Sequence, residues 1–547
     1  MDFLSPLDML YYWEETSPDK VYLQQPFNDN WKTWTWKEAG YEVRAMAGVI
    51  AQIDLPPNSH IALISKNCAH WILCDLAIMM AGHVSVPLYP NIAANTLKQI
   101  LEHSDSKLLF VGKLDQWDTI KGSVPKNINC ISLPFCSHTE YDTWYDLVKE
   151  AKPIQERVHR SKEETGTIIY TSGTTGISKG VVHRFSSFSF TSQHAIPTLK
   201  ICSNSRFFSY LPLSHSAERS LVEMCSIYSG GEVFFVESIE RFSQNIAYAK
   251  PTEFLAVDHI WKKFQERILQ KLPQHRIDLL LSLPLISGWL KMKVKRQLGL
   301  QFARNIFTGA SPTPVTLINW FAALGIKIQE GYGLTENWSY SHINRNKGIR
   351  VGFVGPPLPG VEVKLAENDE IQVKHEALMS GYYKEQQKTS EAFTDDGFLR
   401  TGDSGLISKD GYLKITGRIK DIFKTSKGNY VAPVPIELKL SSHENFEFVC
   451  VVGSGLPQPI ALVVLSAIGK LQELQPLTSL LTNLVHALNP TLNSCEKLSK
   501  IVVLRDEWTV ENNMLTPTFK IRRKEVEARY SPYYRQWMNV DKMVLFG

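Results

Sequence analysis

A chain of 547 residues is about three times a typical single-domain size, which excludes one continuous core and predicts a large unit joined to a smaller one. Apolar residues make up 44% and charged residues 21%, with 28 Pro and 32 Gly dispersed, which excludes disordered and collagen-like classes; a mean hydropathy of −0.15 agrees. Lys and Arg number 59 against 55 Asp and Glu, and the resulting +4 is too weak over this length for a nucleic-acid footprint.

Eight cysteines, Cys68, Cys74, Cys130, Cys136, Cys202, Cys225, Cys450 and Cys495, form no C-x-x-C pair and have no His at zinc-like spacing. Neither a disulfide scaffold nor a structural zinc is expected, and a reducing, cytoplasmic setting is. The opening Met1-Asp-Phe-Leu-Ser-Pro carries an acid where a signal peptide has a basic stretch, so export is not expected. The most apolar segments, residues 71–82 and 279–290, fall short of the ~20 residues a membrane span needs.

In chain order, His60-Ile-Ala-Leu-Ile-Ser reads as a buried strand, residues 69–82 as a helix, and His83-Val-Ser-Val-Pro-Leu-Tyr as a second strand, together a βαβ unit. Leu108-Leu-Phe-Val, Thr167-Ile-Ile-Tyr, Glu232-Val-Phe-Phe-Val and Ile326-Lys-Ile repeat short apolar strands between helical stretches. Most of the first ~400 residues is therefore expected to be α/β with parallel pairing. From Phe398 the texture changes, with a Lys409-Asp410-Gly411 turn between two alternating runs, the mark of a hairpin. Strands expected at 446–452, 460–465 and 501–504 alternate with helical runs in a small α+β unit. The expected fold class is α/β: layered α/β subdomains over residues 1–417 and a small α+β domain over 418–547.

The segment most suggestive of chemistry is Thr171, Ser172, Gly173, Thr174, Thr175, Gly176, Ile177, Ser178, Lys179 and Gly180, directly after a strand. Its glycines allow sharp turns that expose backbone N–H groups, its hydroxyls donate, and Lys179 adds a mobile cation, a suitable cradle for polyphosphate. It is not a Walker A loop, because Ser178 stands five residues after Gly173 where that motif has Gly. Nor is Gly331-Tyr-Gly-Leu-Thr-Glu336 a dinucleotide-binding G-x-G-x-x-G, because it ends in Glu336.

Four segments occur together in a telling order: Tyr170-Thr-Ser-Gly-Thr-Thr-Gly-Ile-Ser-Lys-Gly, Gly331-Tyr-Gly-Leu-Thr-Glu, Thr401-Gly-Asp followed by Gly417-Arg-Ile-Lys-Asp, and Leu515-Thr-Pro-Thr-Phe-Lys520. Over nearly its whole length the chain resembles the acyl-adenylate-forming superfamily, which includes acyl-CoA synthetases, luciferases and peptide-synthetase adenylation domains. It looks most like the long-chain fatty acyl-CoA synthetases. Tyr210-Leu-Pro-Leu-Ser-His-Ser-Ala-Glu-Arg219, Asn429-Tyr-Val-Ala-Pro433 before Ile436-Glu437, and Thr516-Pro-Thr-Phe-Lys520 match that branch.

The resemblance implies an ATP- and Mg²⁺-dependent ligase that converts a fatty acid to acyl-AMP, releases pyrophosphate, and passes the acyl group to the thiol of CoA. It assigns Mg²⁺ to Glu336 and Thr171, the positive charge of adenylation to Lys520, and a place near the carboxylate to His215. Asp403 and Arg418 would hold the ribose. Gly309, Ala310 and Ser311 would border the adenine, with Tyr332 stacked on it between Gly331 and Gly333 and Thr335 reaching the α-phosphate. Trp261 matches an aromatic gate to the acyl tunnel, although Asp258 stands where the family usually has Pro. The small domain would be mobile about residues 418–421 with Lys420 at the hinge, and Lys427-Gly428, where relatives commonly show Gly-Gly, would line the CoA side. Two alternatives stay open: transfer to a carrier-protein pantetheine, and a catalytically inactive acyl or nucleotide binder. Residues 279–290 followed by Lys291-Met-Lys-Val-Lys-Arg296 read either as a peripheral contact with the inner face of a membrane or as a core helix ending in solvated lysines. Pro284 spoils a continuous amphipathic helix and so counts against the membrane reading.

Overall fold

The computed structural model describes residues 2–28, 30–136, 140–171, 178–516 and 519–547. The βαβ unit forms as its pattern predicts, with strand His60–Ile64, helix Ala69–Met80 and strand Val84–Leu88. The strands run parallel, from His60 opposite Val84 to Ile64 opposite Leu88. Every residue of the helix is buried. A helix apolar on all sides must be covered on all sides, and two eight-stranded sheets cover this one. The first runs Gly381–Tyr382, Lys179–Arg184, Thr165–Thr171, Val84–Leu88, His60–Ile64, Ser106–Val111, Asn129–Ser132, Asp142–Thr143. The second runs His342–Ile343, Gln329–Tyr332, Asn305–Thr308, Glu253–Ala256, Arg206–Ser209, Glu232–Phe235, Val21–Phe27, Asn30–Thr35. Leu63, Phe110 and Ile169 from one sheet and Leu23, Phe207 and Val233 from the other join Trp71, Leu73 and Leu76 of the helix in a continuous core.

Two details differ from the sequence expectation. Thr165–Thr171 pairs parallel to Val84–Leu88 on one side but antiparallel to Lys179–Arg184 on the other. The connection over residues 172–178 is too short for a crossover, which takes about a dozen residues. Ile326-Lys-Ile is not a strand, for the strand begins at Gln329. Ile326 and Ile328 are apolar because they are buried against Leu317, Ile318 and Phe321 of helix Val315–Ala323.

Leu399–Ile407 and Leu413–Arg418 form the expected hairpin, with Gly411 at φ +82° in its turn. They belong to a four-stranded antiparallel sheet with Glu362–Leu365 and Glu370–Lys374. After Arg418 a short turn, Ile419–Asp421, leads to a separate C-terminal domain built on strands Phe446–Val452, Ile460–Leu465, Lys500–Leu504 and Val544–Phe546. Alternation decides its two faces. Val449, Val451, Ala461, Val463, Ile501 and Val503 pack with Leu477, Leu481 and Val485 of helix Leu474–Leu488, whereas Cys450, Val452, Leu462, Val464, Val502 and Leu504 pack with Trp508, Val526 and Tyr530.

Residues 279–290 do not make one core helix. Pro284 lacks the N–H that an interior turn needs but suits a first turn, and it divides the segment into Gln274–Ser282 and Pro284–Gln297. Ile277, Leu290 and Val294 are buried, while most of the other large apolar side chains of the segment stay exposed. Among the described residues, no helix is long and apolar enough to cross a membrane.

Candidate active site

The C-terminal ends of Thr165–Thr171, Arg206–Ser209, Glu253–Ala256, Asn305–Thr308 and Gln329–Tyr332 open onto a cavity of about 1520 Å³, the usual place for a ligand in an open α/β sheet. Thr171, His215, Gly309, Ala310, Gly331, Tyr332, Gly333, Thr335 and Glu336 line it from the large domain, and Arg418, Lys420 and Lys520 close it from the far side.

The loops that form its floor approach one another closely. A Cβ on Gly309 would lie 3.0 Å from the Gly331 carbonyl oxygen, and one on Gly333 would lie 2.5 Å from the Ser339 carbonyl carbon. Ala310, Trp338 and Ser339 hold φ of +66°, +54° and +55°, a costly region for residues with a side chain. Packing maintains it: Trp338 is fully buried, and the Ser339 and Ser216 hydroxyls meet at 2.6 Å, tying the Glu336 turn to the His215 loop. His183 Nε2 donates to the Thr335 carbonyl at 2.7 Å. Gly333→Ala must push backbone against backbone, so ATP/pyrophosphate exchange should fall about 10²-fold while the unfolding midpoint moves little; unchanged exchange would show that the turn does not position the reacting groups.

Charge is arranged as a chain of partners. Asp403 is buried in the Leu399–Ile407 strand, accepting from Tyr332 Oη at 2.8 Å on Oδ2 and from Arg418 Nε at 2.9 Å on Oδ1. Two acceptor positions of the carboxylate remain for further donors. Glu336 Oε1 accepts from Tyr382 Oη at 2.9 Å. Burial pulls the Lys520 ammonium down to about 8, aided by the Arg418 guanidinium and opposed by Asp403, Glu336 and Asp258. Burial likewise drives the His215 imidazolium down to about 3, and Lys520 adds to the effect. His215 is thus neutral at pH 7. Its Nδ1 accepts from the Ala217 N–H at 3.1 Å, which leaves the proton on Nε2 as a donor.

For the adenylation that the sequence resemblance implies, kcat/KM, which reports the free enzyme, should fall as pH rises through about 8, because Lys520 carries its charge below that region and loses it above. Lys520→Arg, whose charge persists, should remove that alkaline limb from whatever activity remains. A limb kept by the Arg variant would assign it to another group.

Other expected site residues fall into four groups. Ser172, Gly173, Thr174, Thr175 and Gly176 lie outside the described residues. Lys179 stands over the Tyr382 ring at 4.5 Å, its pKa lowered by burial and then by Lys388 and Lys420. Ser311 does not line the cavity; its Oγ donates to Asp258 Oδ1 at 2.6 Å. Lys427 and Gly428 sit at the exposed tip of the Phe423–Lys424 and Tyr430–Val431 hairpin, with Gly428 at φ +87°, and only the hairpin base at Phe423 and Lys424 reaches the cavity.

Trp261 requires a correction. It is fully buried between Phe254, Phe264 and Phe321, donates from Nε1 to the Ala256 carbonyl at 3.2 Å, and does not line the cavity. Helix Asp258–Lys271 presents Ile260, Lys263, Phe264 and Arg267 to the cavity, and Trp261 packs against Phe264 one layer behind that wall instead of forming it.

Three further residues went unassigned in the sequence. Tyr382 bridges Glu336 and Lys179. Glu218 lines the cavity, its carboxyl raised by burial to about 8, with the Ser209 hydroxyl and the Tyr210 N–H donating to it at 3.1 Å. Arg219, fully buried behind the site, donates to Thr167 Oγ1 at 2.6 Å and pairs with Asp75 at 2.5 Å and Glu223 at 3.0 Å. The Tyr210-to-Arg219 motif was the available signal for the last two; nothing local marks Tyr382.

Two family models account for most of this chain: AMP-binding enzyme over residues 10–383 and AMP-binding enzyme C-terminal domain over residues 420–535. The chain belongs to the AMP-binding enzyme family. Curated proteins similar to this AMP-binding enzyme include a long-chain-fatty-acid–CoA ligase of Mycobacterium bovis, 27% identical over 96% of this chain and 95% of its own. Fatty acyl-CoA synthetase A of Dictyostelium discoideum is 27% identical over 92% of this chain and 85% of its own. Among solved structures, the A-PCP didomain of carboxylic acid reductase from Segniliparus rugosus with AMP has a TM-score of 0.83 at 19% identity, covering 98% of this chain and 82% of that one. ATP-bound MatB from Rhodopseudomonas palustris has a TM-score of 0.78 at 21% identity, covering 97% and 100%. At these identities the structures establish that the AMP-binding enzyme shares their fold.

Proposed function

We propose that this AMP-binding enzyme is a fatty acid–CoA ligase that works in the cytoplasm on a fatty acid, ATP and CoA. The observation that carries the reading is the convergence of Lys520 with His215, Glu336 and Arg418, itself held by Asp403 behind the wall, on one cavity that is also lined by apolar Ala195, Leu199, Leu221 and Leu358. The names of the relatives support the acid class.

A carboxylate resists attack because the incoming nucleophile adds charge to an anion. Adenylation removes that charge: a carboxylate oxygen bonds to the α-phosphorus of ATP and the bond to pyrophosphate breaks. The chemistry asks the protein for position and positive charge. Lys520 supplies the charge between carboxylate and α-phosphate, and His215 donates from Nε2 to the carboxylate side. Asp403 and Arg418 hold the ribose, and the Gly309–Ala310 and Gly331–Tyr332–Gly333 turns border the adenine. The CoA thiol then adds to the acyl carbonyl, with loss of its proton, and AMP leaves. Lys520 and the thiol need the same space, so the C-terminal domain turns about residues 418–421, with Lys420 at the pivot, and brings the loop of Lys427 and Gly428 inward.

Glu336 and Thr171 are the residues that would hold Mg²⁺. Among the described residues no cluster of three His, Cys, Asp or Glu side chains is present, and a single carboxylate beside a hydroxyl suits an ion that completes its shell with phosphate oxygens and water. Bound there, Mg²⁺ neutralises phosphate charge.

The test is ATP/pyrophosphate exchange over carboxylates of rising chain length, with thioester formation followed on addition of CoA. Exchange that strengthens with chain length, and thioester formed with CoA, are expected. Exchange without thioester would favour a carrier-protein acceptor, the reading suggested by Lys427 in place of Gly; no exchange with any acid would leave an inactive binder.

A further inference from the structure

Helices Gln274–Ser282 and Pro284–Gln297 leave an unusual face uncovered. Leu279, Leu283, Leu285, Ile286, Trp289 and Met292 are all exposed, Leu285 at 94% and Trp289 at 58%. Leaving six large apolar side chains in water within 14 residues is costly for a free surface and marks an interaction site. Lys291, Lys293, Lys295 and Arg296 lie on the same helix, and no ion pair holds any of them among the described residues. Lys293 Nζ stands over the Trp289 ring at 4.6 Å. From residue 279 to residue 329 the sequence has no Asp or Glu, and Asp278 at the margin accepts from Gln274 at 2.8 Å.

We propose that this face docks on a lipid bilayer carrying anionic headgroups. The observations choose between occupants. Leu285 and Trp289 protrude as knobs, which a fluid acyl layer accommodates without a matching groove. Trp beside Lys is the pairing that suits the boundary between acyl chains and headgroups, where the ring stays half-wet and the long lysine stem reaches outward. Lys291 and Lys295 lie toward Gly325, but Lys293 and Arg296 are exposed beside the apolar residues, so a second copy would set cations against cations, whereas acidic lipids answer them. The face is also well placed. Helix Asp258–Lys271 shares a hydrophobic cluster with it, Phe264 and Ile268 belonging with Ile277, Leu290 and Val294, while its Ile260, Lys263 and Arg267 line the cavity. Docking therefore brings one wall of the cavity to the membrane. This inference goes beyond the ligase reading and does not depend on it.

Cosedimentation of the full chain with phosphatidylcholine vesicles, with and without phosphatidylglycerol, tests it. Binding is expected with phosphatidylglycerol and should weaken as salt is raised. The surface variant L285S/W289S should bind at least about tenfold more weakly, and K293E/R296E about thirtyfold, both with the wild-type unfolding midpoint and wild-type ATP/pyrophosphate exchange on a water-soluble carboxylate. Failure of the wild type to sediment with any vesicle would overturn the proposal. So would undiminished binding by both variants, or a concentration-dependent dimer that L285S/W289S abolishes without any lipid binding. Loss of exchange activity alone would bear on the ligase reading and leave the docking result standing.

Discussion

Replacing Lys520 by Ala should lower ATP/pyrophosphate exchange by about 10²–10³-fold, the cost of removing one preorganised charge from a developing anion, yet leave thioester formation from supplied acyl-AMP and CoA nearly intact. The asymmetry follows from geometry. Lys520 stands among Arg418, Asp403 and Glu336, where its charge meets phosphate and carboxylate, whereas Lys427 and Gly428 are at an exposed hairpin tip. A site used for both half-reactions in one arrangement would lose both together, and equal loss would refute the proposed turning of the C-terminal domain. Measuring the two half-reactions separately on the same preparation distinguishes the outcomes.

Arg219→Ala should destabilise the large domain by about 3–5 kcal/mol, because it strands two buried carboxylates. Asp75, Glu223 and Arg219 are all fully shielded from water, and one guanidinium donates to Oδ2 of Asp75, to Oε2 of Glu223 and to the Thr167 hydroxyl. Burial, followed by the charge of Asp75, pushes the Glu223 carboxyl well above its ordinary value even with Arg219 opposing. Without the guanidinium the pair retains a proton that the unfolded chain releases, so the variant's stability should decline further as pH rises through the neutral range. Urea unfolding at several pH values is the measurement. Replacing the whole set, with Arg219→Met, Asp75→Leu and Glu223→Leu, should recover much of the loss, since well-packed apolar groups need no partner. If R219A unfolds at the wild-type urea concentration, the cluster contributes nothing.

Elements dictated by local pattern were legible in the sequence. The alternation at residues 446–452, 460–465 and 500–504 determines both faces of the C-terminal sheet, and the Lys409-Asp410-Gly411 turn sets the Leu399–Arg418 hairpin of the sheet before it. The site residues Gly333 and Thr335 were named through the resemblance of their motif, not through a local rule, and their turn is held by Ser339 and by His183 from 152 residues away. Contacts across the fold were not. Tyr382 meets Glu336 from 46 residues away, and Arg219 meets Asp75 from 144, with no spacing rule to connect them. Trp261 shows a different limit. On helix Asp258–Lys271 an aromatic side chain suits either the core or a cavity, and the cavity is made by loops that the helix pattern does not contain. The strand Lys179–Arg184 was not read at all, because its start was taken into the phosphate-loop segment, and its antiparallel pairing follows from the short connection before it.

The helix Ala69–Met80, enclosed by both eight-stranded sheets, has one more consequence. It removes the degrees of freedom by which those sheets could slide or separate, because any relative displacement would open voids on two sides of an apolar rod at once. The turning proposed for the C-terminal domain then falls to the covalent joint at Ile419–Asp421, beyond which that domain has cores of its own. Heating should accordingly separate two melting events, a cooperative one for the welded sheets and an independent one for the C-terminal domain, and ligands that bridge the joint should draw the two together.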